Sequence, residues 1–272
     1  NNEGQETYFP AIGMNDPIVF IVGDLPIIFS DSFEGSEDEW NVSGDATDGH
    51  WELGDPNGTF YGDIPVQPED DASEDGTQCF ITGNNAPQNT PSDDDVDGGE
   101  TILTSPFIDL SAEERVIITY WRWYTNNLGD NPSTDIWLVQ ASDNAGSSWV
   151  DLENTNISDN SWAKRIFFLD NYINLTSTVQ LRFIAEDVFH DGEFGSGGSI
   201  VEAAIDDIGI FSLEEGADIL LGDVNFDGSI DVLDVVLVIN FVLESTVPSS
   251  DEFAASDVNT DGIIDILDIV QI

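Results

Sequence analysis

Val116-Ile-Ile-Thr-Tyr-Trp-Arg-Trp-Tyr124 decides the fold. All of these residues except Arg122 are β-branched or aromatic, the types that suit a pleated, packed surface. The same chemistry recurs in Asp135-Ile-Trp-Leu-Val-Gln-Ala141, Arg165-Ile-Phe-Phe-Leu169 and Val179-Gln-Leu-Arg-Phe-Ile-Ala185. Several of these runs alternate apolar with polar residues, as half-buried strands do. Turn clusters separate them: Asn126-Asn-Leu-Gly-Asp-Asn-Pro132, Ser142-Asp-Asn-Ala-Gly-Ser147 and Gly195-Ser-Gly-Gly198. No helical period runs through this middle section. The expected fold is mainly β, an antiparallel jelly-roll sandwich of two packed sheets.

The C-terminus has a different pattern. Asp223-Val-Asn225-Phe-Asp227-Gly228-Ser229-Ile-Asp231-Val-Leu-Asp234 repeats as Asp257-Val-Asn259-Thr-Asp261-Gly262-Ile263-Ile-Asp265-Ile-Leu-Asp268. A twelve-residue calcium loop takes oxygen ligands from positions 1, 3, 5, 7 and 12, and Gly at position 6 makes the sharp turn. Both copies fit. Asp223, Asn225, Asp227 and Asp234 are candidate side-chain ligands, with the Ser229 carbonyl at position 7. Asp257, Asn259, Asp261 and Asp268 repeat them, with the Ile263 carbonyl. Two Ca²⁺ ions are expected. Position 12 is Asp, where a helix-loop-helix calcium hand usually has Glu.

The segment after the first loop is apolar almost all round, from Val232 through Leu243. A helix covering one neighbour needs only a stripe a little over 100° wide, and a module of about fifty residues has little interior. Part of this face is therefore expected against a partner, at Val232, Leu233 and Val236, with Ile266 and Leu267 as the second copy. A small core beneath a shorter helix is the alternative.

With its repeat at Ser256–Gly262, Gly222-Asp-Val-Asn-Phe-Asp-Gly228 resembles a dockerin over about residues 222–272. That resemblance implies a duplicated calcium loop and helix that plugs into a cohesin domain in extracellular assemblies. The Asp at position 12 suits it. Recognition positions 10 and 11 are often small or polar in that family, whereas here they are Val232-Leu233 and Ile266-Leu267. The chain ends at Ile272, a turn into the second helix, which reads as a cut or a missing last helix.

A second resemblance covers about residues 29–212. Phe33-Glu34, Trp40, His50-Trp-Glu-Leu-Gly54, Asp95-Val-Asp-Gly-Gly99, Leu103-Thr-Ser-Pro106, Ser142–Trp149 and Val201-Glu-Ala-Ala-Ile-Asp-Asp-Ile208 look like secreted jelly-roll modules of the MAM and carbohydrate-binding kind. The resemblance implies a fold and an extracellular address without catalysis. Related sandwiches often hold a structural calcium between first and last strands, which implies Glu34 and Asp206 as ligands of a third ion, with Asp207 nearby. Solvated acids are the equal alternative there. The runs Glu69–Asp71 and Asp93–Asp97 read as solvated loops, with a further cation site built from Asp95 and Asp97 as the lesser alternative.

The chain has 272 residues, 5 Lys and Arg against 55 Asp and Glu, and a formal charge of -50. Phosphate binding needs Lys and Arg to displace counterions, so nucleic acid and anionic membranes are excluded as direct partners, and no run approaches the length needed for membrane insertion. Such self-repulsion opposes compaction, and bound divalent cations relieve it. Cys79 is the sole cysteine and reads as a small buried hydrophobe. The start at Asn-Asn-Glu suggests a processed, secreted or cell-surface protein. Four sequons begin at Asn41, Asn57, Asn156 and Asn174.

Catalysis has little basis here. His50 and His190 lie far apart without a nucleophile motif, and no zinc helix, serine elbow or phosphate loop occurs. The expected divisions are an apolar arm (1–28), the sandwich (29–214) and the calcium module (215–272). The arm, Ile18-Val-Phe-Ile-Val22 and Leu25-Pro-Ile-Ile-Phe29, is either a strand of the chain's own sandwich or one donated to a neighbour. A donated arm with a docking helix would permit head-to-tail polymers. The expected function is a non-enzymatic, calcium-dependent assembly subunit whose partner is a cohesin-like domain or its own kind. A carbohydrate- or surface-binding accessory module, using Trp121, Trp123 or Tyr124, is the alternative.

Overall fold

The computed structural model of the chain describes residues 25–35, 39–73, 76–86, 90–188, 198–213 and 220–272, except 244, 249 and 260–262. Its strands are β1 Ile27–Asp31, β2 Asn41–Gly44, β3 Trp51–Gly54, β4 Thr59–Tyr61, β5 Ile64–Gln67, β6 Cys79–Thr82 and β7 Gly99–Thr104. There follow β8 Val116–Gly129, β9 Trp137–Ser142, β10 Val150–Thr155, β11 Ala163–Phe168, β12 Gln180–Asp187 and β13 Ser199–Ser212. Helices α1 Val232–Val242, α2 Ser250–Ser256 and α3 Ile266–Ile269 close the chain.

Two antiparallel sheets form the expected sandwich. One runs β11-β8-β13-β6-β3 with β1 added beside β13, and the other runs β10-β9-β12-β7-β2. The deciding stretch is the first half of β8, which pairs with β11 on one edge and β13 on the other. Its central place explains the composition. Ile118 and Tyr120 enter the main core with Phe80, Leu103, Trp137 and Phe183. Tyr120 and Phe183 meet edge to face at 5.1 Å, and Phe33 meets Phe80 in the same way at 5.1 Å, an arrangement aromatic quadrupoles favour.

The opposite face is covered too, which the alternation did not foretell. Trp123 packs with Cys79, Ile81 and Ala204, and its indole N–H donates to the Val66 carbonyl at 2.7 Å. Thr125 Oγ1 donates to the same carbonyl at 2.7 Å. The hairpin β4–β5 thus lies over this part of the sheet. Cys79 is fully buried, and burial followed by the charge of Asp206 pushes its thiol well up.

Of the arm, Ile18–Val22 lies outside the described residues, while β1 pairs antiparallel with β13 of the same chain. From Ile27 onward it is a strand of its own sandwich, so the donated-strand alternative does not hold for that part.

Gly83 sets a close approach. Its φ is +44°, and a Cβ there would stand 1.8 Å from the Asp94 carbonyl oxygen. Neither backbone can yield cheaply. Gly83→Ala is expected to destabilise the sandwich by about 1–3 kcal/mol from strain alone, with the clash adding to that. Urea unfolding followed by tryptophan fluorescence measures it, and an unchanged midpoint would contradict the packing.

Candidate calcium loops and docking face

The first loop folds inward on its own amides. Asp223 Oδ1 accepts from Asp227 N–H at 3.2 Å and its Oδ2 from Gly228 N–H at 2.9 Å. Asn225 Oδ1 accepts from Asp227 N–H at 2.8 Å, and Asp227 Oδ1 accepts from Ser229 N–H at 2.9 Å. Gly228 has φ +83°, the left-handed turn that glycine permits without penalty.

Asp234 closes the ring. Its Oδ1 accepts from Val224 N–H at 2.9 Å and Asn225 N–H at 3.1 Å, and its Oδ2 from Asp231 N–H at 2.8 Å. Asp234 is fully buried. Burial alone would raise its carboxyl, but the amides of Asp231, Asn225 and Val224 outweigh that and hold it below the usual range. Asp231 in turn caps α1, accepting from Leu233 N–H at 2.7 Å. The pair makes a capping box in which two carboxylates satisfy the orphan amides of the first turn.

The second copy closes in the same way. Asp268 accepts from Asn259 N–H at 3.3 Å and from Asp265 N–H at 2.9 Å, and Asp265 accepts from Leu267 N–H at 2.6 Å. Asp257 is buried. Ile263 turns its side chain to solvent at 62% exposure. Asp261 and Gly262 lie outside the described residues.

The carboxylates lie on backbone amides rather than on one another. Among the described residues, no three acidic, His or Cys side chains converge so as to hold a metal by themselves. The donor chemistry nevertheless suits Ca²⁺: Asp223, Asn225, Asp227 and Asp234 offer hard oxygens on one twelve-residue loop. Each carboxylate retains lone pairs beyond its amide bonds.

The helices divide their apolar residues between a core and a surface. Val238 and Phe241 are buried with Val224 and Ala255, and Leu237, Val242, Ile264, Ile269 and Ile272 pack against them. Val232, Leu233 and Val236 are exposed, as are Ile239 on α1 and Leu243 at its C-terminal cap. Ile266 and Leu267 are exposed on α3 beside Val270. A small core forms, and an apolar stripe remains uncovered.

In the sandwich, Glu34 and Asp206 grip one loop. Glu34 Oε1 accepts from Thr77 and Gln78 N–H, each at 2.8 Å, and these amides hold its carboxyl below the usual range. Asp206 Oδ2 accepts from Ala72 N–H at 2.8 Å. Asp206 and Asp207 sit where β13 bulges against β8, with Asp207 at φ +45°. Burial pushes Asp206 to about 7 and raises Asp207, which also feels Asp71 and Glu34. The four carboxyls therefore share one neighbourhood.

The run Asp93–Asp97 is not the uniformly solvated loop expected. Asp95 is 1% exposed, and burial followed by the charge of Asp97 pushes its carboxyl to about 8. It is drawn in because Val96 N–H donates to the Val201 carbonyl at 3.0 Å, pairing the segment with β13. The rings proposed for sugar stacking fare differently from expectation. Trp123 and Tyr124 are buried and cannot receive a sugar. Trp121 is half-buried, with Lys164 Nζ over its ring at 5.6 Å. His50 is exposed, and its carbonyl accepts from Gly83 N–H. His190 lies outside the described residues.

Paired calcium-type loops under an exposed apolar stripe define a protein–protein docking module. Residues 221–272 match the family model of the dockerin type I domain. Dockerin type I domains bind Ca²⁺, are non-catalytic, and dock to other proteins. No curated protein matches the chain. The sandwich is similar in shape to the K1 cleaved adhesin domain of Lys-gingipain from Porphyromonas gingivalis W83, at 17% identity over 68% of this chain and 97% of that one, with a TM-score of 0.42. It is also similar to the family 11 carbohydrate-binding module of cellulase Lic26A-Cel5E of Clostridium thermocellum, at 10% identity over 71% and 96%, TM-score 0.39. A third is the C-terminal family 22 carbohydrate binding module of Clostridium thermocellum Xyn10B, at 10% identity over 70% and 97%, TM-score 0.38. No described helix is long and apolar enough to cross a membrane.

Proposed function

We propose that the chain is a non-catalytic extracellular or cell-surface subunit whose residues 215–272 dock, once calcium has ordered them, to a cohesin-like domain of another protein. The sandwich, residues 29–214, is the part delivered by that docking. The observation that carries this reading is the matched closure of two loops, by Asp234 and by Asp268, each at the start of a helix that leaves apolar side chains uncovered.

Asp223, Asn225, Asp227 and Asp234 would hold one ion with the Ser229 carbonyl. Asp257, Asn259, Asp261 and Asp268 would hold a second with that of Ile263. Glu34 and Asp206 are the proposed ligands of a third in the sandwich. Ca²⁺, when bound, supplies the positive charge that balances the inward carboxylates. Asp231 and Asp265 start the helices, and Asp234 and Asp268 tie each helix to its loop. Val232, Leu233, Val236, Ile266 and Leu267 then form a fixed surface that a partner desolvates.

Titration calorimetry of the calcium-loaded chain against a panel of cohesin domains tests this. A specific complex is expected, and Leu233→Asp combined with Leu267→Asp should weaken it about 100-fold or more, as removing central anchors does. Absence of any calcium-dependent complex, or full affinity in the double variant, would count against the reading. If the partner is another copy, sedimentation of the calcium-loaded chain alone will show concentration-dependent polymers. A carbohydrate-binding role has less support, since the rings nominated for it are buried or covered by a cation.

A further inference from the structure

Two carboxylates outside the calcium loops are sealed in the sandwich without a cationic partner. Glu202, on β13, is fully buried. Its Oε2 accepts from Thr82 Oγ1 at 2.7 Å, while its Oε1 has no hydrogen-bond partner. Asp95 is 1% exposed; its Oδ2 accepts from Val201 N–H at 3.3 Å, and its Oδ1 has no partner. Val201 immediately precedes Glu202, so adjacent residues of β13 hold the two acids. Buried neutral oxygens adjoin them. Gln67 donates from Nε2 to the carbonyls of Thr82, at 2.9 Å, and Gly83, and its Oε1 is unpartnered. Thr59 faces Gln67 across the β4–β5 hairpin, and its Oγ1 is unpartnered as well.

We propose that Glu202 Oε1 and Asp95 Oδ1 are ligands of a structural cation, a hard divalent ion of the Ca²⁺ type, buried between β13, β6 and the 94–97 segment. An ionised carboxylate cannot be taken out of water alone; it is paired, metal-bound or protonated. Pairing by a side chain is ruled out among the described residues, because all five Lys and Arg are engaged elsewhere. Arg122 and Arg165 hold Glu153 and Asp159, and Arg115 faces Asp170. Lys164 lies over Trp121, and Arg182 lies over Trp149.

Protonation of the two acids is the rival state, and the test below separates it from a bound ion. Asp95 Oδ2 already accepts an amide, so a proton on Asp95 would sit on Oδ1. Thr82 Oγ1 accepts from Ala203 N–H at 2.8 Å and has one hydrogen to share between Glu202 Oε2 and the Ala203 carbonyl. A proton on Glu202 would sit on Oε1. A cation satisfies both orphaned oxygens, and Gln67 Oε1 and Thr59 Oγ1 add neutral donors of the kind a hard ion accepts. Among the described residues no three acidic groups converge, so the site rests on two carboxylates and neutral oxygens.

The test uses the full chain with both C-terminal loops silenced by Asp223→Ala and Asp257→Ala, so that tail ions are not counted. Bound calcium per chain is measured by plasma mass spectrometry after gel filtration, and thermal unfolding is followed with and without Ca²⁺. Glu202→Gln and Asp95→Asn should each lose one ion relative to this parent. That loss should be separate from the one produced by Glu34→Gln, and most of the calcium-induced rise in unfolding temperature should go with it. Retention of every ion by folded Glu202→Gln would overturn the proposal, as would a parent whose unfolding ignores calcium while Glu202→Gln unfolds higher. If the variants fail to fold, crystals of the unaltered chain grown with Tb³⁺ decide. An anomalous peak between Asp95 and Glu202 supports the site, and its absence refutes it.

Discussion

Replacing Arg122 with alanine is expected to destabilise the sandwich by about 3–5 kcal/mol, the range seen when one partner of a buried ion pair is removed. Arg122 is 1% exposed in the middle of β8. Its Nη1 donates to Glu153 Oε1 at 2.5 Å, its Nε donates to Asp159 Oδ2 at 2.9 Å, and its Nη2 reaches the same oxygen. Arg165 completes the network on both acids. Glu153 also accepts from Tyr120 Oη at 2.8 Å and Trp137 Nε1 at 2.9 Å, so its carboxylate ties the two sheets together. Without Arg122, two half-enclosed anions remain in a chain already at -50. Arg122→Lys should recover only part of the loss, since an ammonium cannot reproduce the planar fork. Adding Glu153→Gln to Arg122→Met should recover more, because the uncompensated charge is gone. Denaturant unfolding by tryptophan fluorescence measures all three. A loss below about 1 kcal/mol in Arg122→Ala would show that water reaches the pair and that it behaves as a surface bridge.

The second large effect is expected in the tail. Asp234→Ala should abolish cooperative folding of the 222–272 segment while leaving the sandwich folded. Asp234 alone accepts three amides that join loop to helix, and the same carboxylate is a proposed calcium ligand. Among the described residues the module's buried apolar core is Val224, Val238, Phe241 and Ala255 with a few partly covered neighbours, too little to hold a fold of this size unaided. An ion present at about a thousand times its dissociation constant adds about 4 kcal/mol, and losing that contribution is enough to unfold the module. Far-UV circular dichroism should show the helical signal falling in Asp234→Ala to the level of the EDTA-treated parent. A variant that keeps calcium-dependent helicity would contradict the role given to Asp234.

Much of this was legible in the residues because it is local. The β8 stretch announces a strand by composition, and the duplicated Asp-x-Asn-x-Asp-Gly loop fixes spacing, turn and helix start together. The helix caps were legible too, since Asp231-x-x-Asp234 and Asp265-x-x-Asp268 have capping-box spacing, although those residues were read only as ligands or passed over. What stayed hidden depends on contacts distant in sequence. Nothing near Arg122 announces Glu153 and Asp159, more than thirty residues away. Asp95 read as a solvated acid because its acidic neighbours obscure the pairing of Val96 with Val201. Trp123 read as exposed because the covering hairpin β4–β5 comes from some sixty residues upstream in the chain, and Tyr124 because it packs against Trp137 of the other sheet. In so acidic a sequence, one more carboxylate carries no signal until its burial is seen.

Amide hydrogen exchange on the intact chain, in Ca²⁺ and then in excess EDTA, most directly tests whether the tail is ordered by metal. Slow exchange is expected at Val224, Asn225, Asp227 and Gly228 and through α1 when calcium is present, with exchange accelerating to unprotected rates across residues 222–272 after chelation while β8 and β13 stay protected. Equal protection of the tail in both buffers would contradict a calcium-ordered docking module.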